Sequence, residues 1–131
     1  MLASRGLIRW VPAALMMGLI FIASSTPASQ IPFFGAIDLL VKKGGHALGY
    51  ALLGLSYFHA LPRRLSVPYR AVMALMMAVL FSLSDEFHQS FVEGRTSALR
   101  DVLIDTGGAT LALFAAALYS SSSKSSSSSG S

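Results

Sequence analysis

The chain has 131 residues, of which 53% are hydrophobic and only 12% are charged, and its mean hydropathy is +0.61. A soluble domain carries about a quarter charged residues, so this composition excludes an ordinary soluble domain and indicates an integral membrane protein. The net charge of +4 comes from scattered basic residues without the basic patch that nucleic-acid binding needs, and the absence of cysteine excludes disulfides and thiolate metal sites.

Four apolar segments each approach the length of about 20 residues that a membrane-spanning helix needs. They cover residues 7–25, 45–61, 67–84 and 102–119. A spanning segment must satisfy its own backbone hydrogen bonds, which favours helices, and the alternation typical of a membrane barrel is absent. We therefore predict an all-α membrane protein in which residues 1–119 form a bundle of four transmembrane helices with up-down topology.

The first segment has an alternative interpretation. Arg5 and Arg9 precede its apolar run and Pro27 follows it, an arrangement that also fits a cleaved signal peptide. Cleavage would leave three spans and would not change the orientation of the rest. The apolar run is long for a signal peptide, which favours a retained helix.

Residues between and after the segments predict how the helices connect. Pro62 and Pro68 bracket a short basic turn between the second and third segments, which requires neighbouring antiparallel helices. Small residues indicate close helix packing, although composition explains any single glycine equally well. They are the GxxxG pair Gly45 and Gly49, then Gly54, and in the fourth segment Gly107, Gly108 and Ala112. Residues 120–131 are nearly all serine and predict a disordered tail.

The positive-inside rule gives the orientation. With the N-terminus in the cytoplasm, six basic residues lie inside and four lie outside, so we predict cytoplasmic N- and C-termini. The inner residues are Arg5, Arg9, Arg63, Arg64, Arg70 and Lys124, and the outer ones are Lys42, Lys43, Arg95 and Arg100.

Polar residues from three segments converge at the outer end of the predicted bundle, which indicates one functional site. The candidate site residues are Lys42, Lys43, His46, Tyr50, Asp85, Glu86, His88, Gln89, Arg95, Asp101 and Asp105. Taken singly, Glu93 and Arg100 could be charged residues at solvated helix ends, and Asp101 could simply cap the fourth helix. Neither explanation accounts for the convergence.

Helical spacing refines this cluster. Lys42, His46 and Tyr50 are four residues apart and share one helix face. Tyr50 and Asp105 lie inside apolar segments, where an unpaired polar group is costly, so we expect both to turn inward and find partners. Arg95 or Arg100 is the expected partner of the carboxylates, because a guanidinium binds a carboxylate with two parallel hydrogen bonds.

Residues 84–95, Ser-Asp-Glu-Phe-His-Gln-Ser-Phe-Val-Glu-Gly-Arg, resemble the VanZ-like membrane protein family, in which an Asp-Glu-x-His-Gln-x-Phe run leads to Gly-Arg. The family's upstream Lys, His and Tyr match Lys42 or Lys43, His46 and Tyr50. Its downstream pattern matches Asp101, Asp105 and residues 108–109, with Asp105 standing where Asn is common. The resemblance implies a small four-helix, multi-pass protein of the bacterial cytoplasmic membrane. The family's namesake is linked to teicoplanin-type glycopeptide resistance.

Several functions fit such a cluster. The first is binding of an anionic lipid or a lipid-linked cell-wall precursor, with an effect on teicoplanin-type susceptibility. The alternative is a metal-dependent hydrolase or transferase acting on a lipid-linked substrate. Its divalent cation would be held by Asp85, Glu86, Asp101 and Asp105, with His46 or His88 as base or ligand. Proton-coupled transport in a homo-oligomer and partner-dependent scaffolding are further hypotheses.

Overall fold

The computed structural model describes residues 2–95 and 98–128. Its helices are α1 (Leu2–Ile8), α2 (Val11–Ser25), α3 (Asp38–Ala60), α4 (Val67–Gln89) and α5 (Leu99–Ser128). Two short 3-10 turns, Ala28–Gln30 and Gly35–Ile37, connect α2 to α3. Within these two ranges the chain contains no strand, which confirms the all-α prediction.

Three helical stretches are long and apolar enough to cross a membrane. They are Ser4–Ser25, which runs through α1 and α2, Val67–Gln89 and Leu99–Ser128. The chain is therefore a membrane protein. Helix α3 has 23 residues and hence a length of about 35 Å, but it contains Asp38, Lys42, Lys43 and two histidines, and it is not among these three stretches. Length and composition thus support three of the four predicted spans.

Proline residues determine where two of the helices end. A proline ring clashes with the carbonyl group four residues earlier, which for Pro12 belongs to Ile8, the last residue of α1. Before Pro62, Leu61 is extended, as expected for a residue that precedes proline. Ser66 caps the start of α4, since its side chain accepts a hydrogen bond from the Tyr69 amide. Helices α3 and α4 pack against each other, as the short connection predicts.

The helices extend beyond the apolar segments that predicted them. Helix α3 begins at Asp38 rather than at residue 45, and α4 continues to Gln89 rather than ending at residue 84. The Asp38 carboxylate accepts a hydrogen bond from the Phe34 amide at 3.1 Å and lies at the positive end of the α3 dipole, which stabilises this start. The polar cluster therefore lies largely on rigid helices.

Helix α5 continues through the serine segment as far as Ser128, where composition predicts a disordered tail. Extending an existing helix requires far less free energy than nucleating one. Several serine hydroxyls also donate to carbonyl groups three residues earlier, as Ser123 does to Ser120. The last three positions of the predicted tail, 129–131, lie outside the described residues.

Helix α3 occupies the centre of the packing and contacts α2, α4 and α5. Its closest approach is to α5, where a Cβ at Gly54 would lie 3.4 Å from the Ala109 Cβ and a Cβ at Gly108 would overlap the backbone of Ala47. The predicted GxxxG pair packs loosely. A Cβ at Gly45 meets nothing within 4 Å, and one at Gly49 meets only Ile20, at 3.8 Å.

Two arginines donate hydrogen bonds to carbonyl groups at the C-terminal end of α3, which lies opposite the polar cluster. Arg9 donates to the carbonyl groups of His59 and Leu61 at 2.6 and 3.0 Å. Arg70 donates to the Phe58 carbonyl at 2.7 Å and lies over the Phe58 ring. The last carbonyl groups of a helix lack partners within it and carry partial negative charge, so both arginines stabilise this end of α3.

Candidate functional site

Asp85 lies at the centre of a buried polar network that joins three helices. Its Oδ2 accepts hydrogen bonds from the Ser24 hydroxyl of α2 at 2.8 Å and from the Tyr50 hydroxyl of α3 at 3.1 Å. The Gln89 amide donates to Ser24 Oγ at 3.0 Å. All four side chains are buried, so each hydrogen bond replaces one that water would otherwise make. The network ties α2 to α3 and α4.

Asp105 forms a second buried centre between α3, α4 and α5. Its carboxylate is fully buried, and its Oδ2 accepts a hydrogen bond from the Ser82 hydroxyl at 2.8 Å. Its Oδ1 lies 3.5 Å from His46 Nδ1, which is longer than an ordinary N–H···O hydrogen bond. The two side chains are thus placed for an ion pair when His46 is protonated. Asp105 therefore has a cationic partner within reach, as expected of a buried acid.

Two lysine–aspartate pairs lie above these buried centres. Lys42 Nζ donates to Asp38 Oδ2 at 2.9 Å within the first turn of α3, and Lys43 Nζ pairs with Asp101 of α5. The Lys42 ammonium and the Phe34 amide hold the pKa of Asp38 below its usual range, because both stabilise the charged carboxylate. Each lysine at this end therefore has a carboxylate partner.

The loop after α4 folds back over the site. Gly94 has a φ of +74°, a conformation that glycine adopts without the cost that a Cβ would add. The next residue, Arg95, donates to the Ala23 carbonyl of α2 at 3.3 Å, and its Nε is buried without a hydrogen-bond partner. Glu86 accepts a hydrogen bond from the Ala98 amide at 3.1 Å on the other side of the loop. Gly94 thus directs Arg95 across the end of the bundle.

A cavity of about 310 Å³ opens at this end of the molecule. The predicted site residues in its wall are Lys42, Lys43, His46, Glu86, Gln89, Arg95, Asp101 and Asp105. Arg100 of α5 also lines this polar cavity. The predicted convergence of α3, α4, α5 and the intervening loop is therefore present in the structure.

The other three predicted residues lie elsewhere. Tyr50 and Asp85 belong to the buried network and do not line the polar cavity. His88 turns towards α2, where its Nε2 lies 2.8 Å from the Ser25 hydroxyl and its ring stacks on Phe21 at 4.5 Å between centroids. His88 is thus separated from His46 and contacts a different pair of residues.

The prediction that Arg95 or Arg100 pairs with the carboxylates is wrong. Among the described residues, neither Arg95 nor Arg100 forms an ion pair. Lys42 and Lys43 pair with Asp38 and Asp101 instead, and hydroxyl groups donate to Asp85 and Asp105, each of which keeps one buried oxygen without a hydrogen bond. Spacing along a helix identifies which face a residue occupies, but Arg95 lies in a loop whose course the spacing does not determine.

Sequence reasoning missed Ser24 and Ser82, which are both fully buried and donate to the two central aspartates. A serine is common in membrane helices and carries no charge, so neither stood out in its apolar segment. Ser82 lies three residues before Asp85, so the two share a helix face. This three-residue spacing is the feature of the sequence that could have identified Ser82 as a partner in the polar cluster.

The described residues contain no group of three histidine, aspartate or glutamate side chains that could hold a metal ion. The four carboxylates proposed as ligands instead divide among separate partners. Asp85 binds hydroxyl groups, Asp101 binds Lys43 and Glu86 binds a backbone amide. The geometry therefore gives no support to the metal-dependent hydrolase or transferase.

The apolar helices and the buried carboxylates that they enclose define a small helical membrane protein with a polar site at one end. Residues 9–120 match the family model VanZ/LLP1, so the chain belongs to the VanZ/LLP1 family. The match confirms the resemblance found in residues 84–95 and in the flanking elements. Comparison with the curated proteins and with the solved structures gave no match.

Proposed function

We propose that this protein binds an anionic lipid or a lipid-linked cell-wall precursor in the polar cavity. The supporting observation is the state of the two arginines in the cavity wall. Arg95 and Arg100 form no ion pair among the described residues, whereas the two lysines are paired with Asp38 and Asp101. A guanidinium group presents a planar set of donors that matches the oxygens of a phosphate.

The internal pairs of the cluster reduce the negative charge that opposes this ligand and leave two arginines to contact it. Six acids against four basic residues at this end would repel an anion. The aspartates, however, already accept hydrogen bonds from lysines or buried hydroxyls, and Glu86 accepts one from the Ala98 amide. Two of the acids are thus paired with lysines, and Arg95 and Arg100 are the basic groups of the cavity wall without a carboxylate partner among the described residues. An anion would therefore bind on their side of the cavity and not beside Glu86 and Asp105.

We also propose that α3 forms a fourth span, giving an up-down bundle with both termini in the cytoplasm of a bacterium. Tyr50 and Tyr57 of α3 are 1% and 4% exposed, so the hydroxyls that lower its apolar character lie inside the packing. In this arrangement the cavity faces the outer side of the cytoplasmic membrane. The basic end with Arg9 and Arg70 faces the cytoplasm, in accord with the positive-inside rule.

Lipid binding is tested by native mass spectrometry of the purified protein in neutral detergent. Phosphatidylglycerol should bind in preference to phosphatidylcholine, and the double variant Arg95→Gln/Arg100→Gln should weaken that preference about tenfold or more. The matched control is Arg63→Gln/Arg64→Gln, which removes two exposed arginines at the opposite end. Equal losses in both double variants, or no preference in the natural chain, would refute the proposal.

The orientation is tested by side-specific labelling, since the chain has no native cysteine. Glu93 and Ser66 are exposed residues at opposite ends of α4. An impermeant thiol reagent should label Glu93→Cys in intact cells and should leave Ser66→Cys unlabelled. The opposite pattern would place the cavity in the cytoplasm and would exclude an outer-leaflet ligand.

An effect on teicoplanin susceptibility is a further part of the proposal, and it rests on the family resemblance. Expression in a teicoplanin-sensitive bacterium should raise the minimal inhibitory concentration. The Arg95→Gln/Arg100→Gln variant, at equal membrane abundance, should not raise it. A rise that is unchanged in this variant would separate the susceptibility effect from the cavity.

A further inference from the structure

A second cavity of about 420 Å³ adjoins the polar one, between α2 and α3. Its walls are mostly apolar and include Ile20 of α2, Ile31 and Pro32 of the connection, and Val41 of α3. Gly45 and Gly49 form its floor on α3, and neither has a side chain to fill the space. Because Val41 and Gly45 are exposed, this groove opens onto the outer surface of the bundle. We call it the α2–α3 groove.

The groove and the polar cavity are continuous. Ile31, Lys42, His46 and Arg95 line both. The cationic groups therefore lie at the end of the groove where it meets the polar cavity. The rest of the groove is mostly apolar, and its other polar lining residues are Thr26, Gln30 and Tyr50. An occupant of both spaces would need an anionic group joined directly to an apolar chain.

The size of the groove restricts that occupant further. A volume of about 420 Å³ lies near the lower end of the range of roughly 300–1,000 Å³ that is usual for small-ligand sites. It is suited to part of one extended chain. A peptide helix, with a diameter of about 10–12 Å including its side chains, would not fit within it.

We propose that the α2–α3 groove holds the first part of one hydrocarbon tail of the anionic lipid whose headgroup occupies the polar cavity. This inference rests on the proposed function and extends it, since it makes the ligand a lipid that enters sideways from the membrane. The tail leaves through the open side of the groove and rejoins the bilayer. Burial of methylene groups in the groove then adds to the affinity that the arginines provide.

The glycines of α3 offer a matched pair of variants. Gly45 lines the groove, and a Cβ there meets nothing within 4 Å, so Gly45→Leu adds a side chain to the groove wall without overlap at its Cβ. Gly44 is equally open, but it lines neither the groove nor the polar cavity. The two substitutions add the same side chain to adjacent positions of one helix. Their comparison therefore separates occupation of the groove from general effects on α3.

The experiment measures the binding of two probes to the purified full chain in neutral detergent. Lysophosphatidic acid carries a phosphate group on one tail, and glycerol 3-phosphate carries the phosphate without a tail. We expect Gly45→Leu to weaken binding of lysophosphatidic acid about tenfold, with glycerol 3-phosphate unaffected and Gly44→Leu resembling the natural chain for both probes.

The other outcomes separate the two proposals. If Gly45→Leu and Gly44→Leu bind lysophosphatidic acid equally well, the groove does not hold the tail. If Gly45→Leu weakens both probes equally, the effect belongs to the headgroup cavity and the groove proposal also fails. If the natural chain binds neither probe, the proposed function itself is refuted.

Discussion

Substitution of Gly108 by alanine tests whether the contact between α3 and α5 holds the site together. The new Cβ would lie only 2.9 and 3.0 Å from the Ala47 carbonyl carbon and Cα, and a backbone cannot rotate away as a side chain can. Carbon atoms pack best at about 3.5–4.0 Å, so the helices would have to separate locally by roughly 0.6–1 Å. Overpacking of this kind costs about 1–3 kcal/mol.

Gly107 provides the control for this substitution. A Cβ at Gly107 meets nothing within 4 Å. Both Gly→Ala substitutions gain about 1 kcal/mol of helix propensity, so the difference between the two variants isolates the packing cost. We expect Gly108→Ala to be about 1–3 kcal/mol less stable than Gly107→Ala.

The assay is reversible unfolding of the detergent-solubilised protein, with the free energy of unfolding compared between the two variants. A difference below about 0.5 kcal/mol, the usual scatter of neutral substitutions, would refute the close α3–α5 contact. The same contact positions the site, because Ala47 follows His46 and Gly108 lies one helical turn after Asp105. Gly108→Ala should therefore also weaken binding of phosphatidylglycerol, and Gly107→Ala should not.

Two further predictions concern the ends of the bundle. Ser24→Ala removes a buried hydroxyl that bonds to both Asp85 and Gln89, and this variant should lower the free energy of unfolding by about 1–3 kcal/mol. The control is Ser56→Ala. The Ser56 hydroxyl bonds only within α3, so this variant should change the free energy of unfolding by less than about 0.5 kcal/mol. Arg9→Gln should destabilise the C-terminal turn of α3 and increase its amide hydrogen exchange, and Arg5→Gln should not. Equal stability of the Ser24 and Ser56 variants would contradict the Ser24 hydrogen bonds, and equal hydrogen exchange in the Arg9 and Arg5 variants would contradict the Arg9 contact.

The elements that the sequence predicted well are those controlled by periodicity and by proline. Lys42, His46 and Tyr50 are spaced at four residues, and the helix that this spacing implies brings all three towards α4 and α5. Pro62 and Pro68 likewise mark the connection between α3 and α4. These features depend on local sterics and on helix geometry, which are encoded within a few residues.

The features that escaped prediction depend on contacts between distant parts of the chain. Ser24 is recognisable as a hydrogen-bond donor to Asp85 only when α2 is placed beside α4. Arg95 contacts a backbone carbonyl group and not a carboxylate because of the course that the loop takes through Gly94. The glycines show the same limit. The sequence predicts close packing at Gly45, Gly49, Gly54 and Gly108 alike, but the tight contacts occur at Gly54 and Gly108 and not at the GxxxG pair, because the rotation of α3 about its axis is set by its neighbours.

The hydrogen bond between Ser24 and Asp85 has a consequence for biosynthesis. Sixty-one positions separate the two residues, and the serine is made first. During synthesis α2 and α3 therefore reach the membrane before α4, and Ser24 and Tyr50 present hydroxyls to an acid that would otherwise enter hydrocarbon without a partner, at high cost. Loss of the segment before Pro27 would remove the Ser24 hydroxyl. Helix α2 thus supplies in advance a hydrogen-bond donor for the acid of α4.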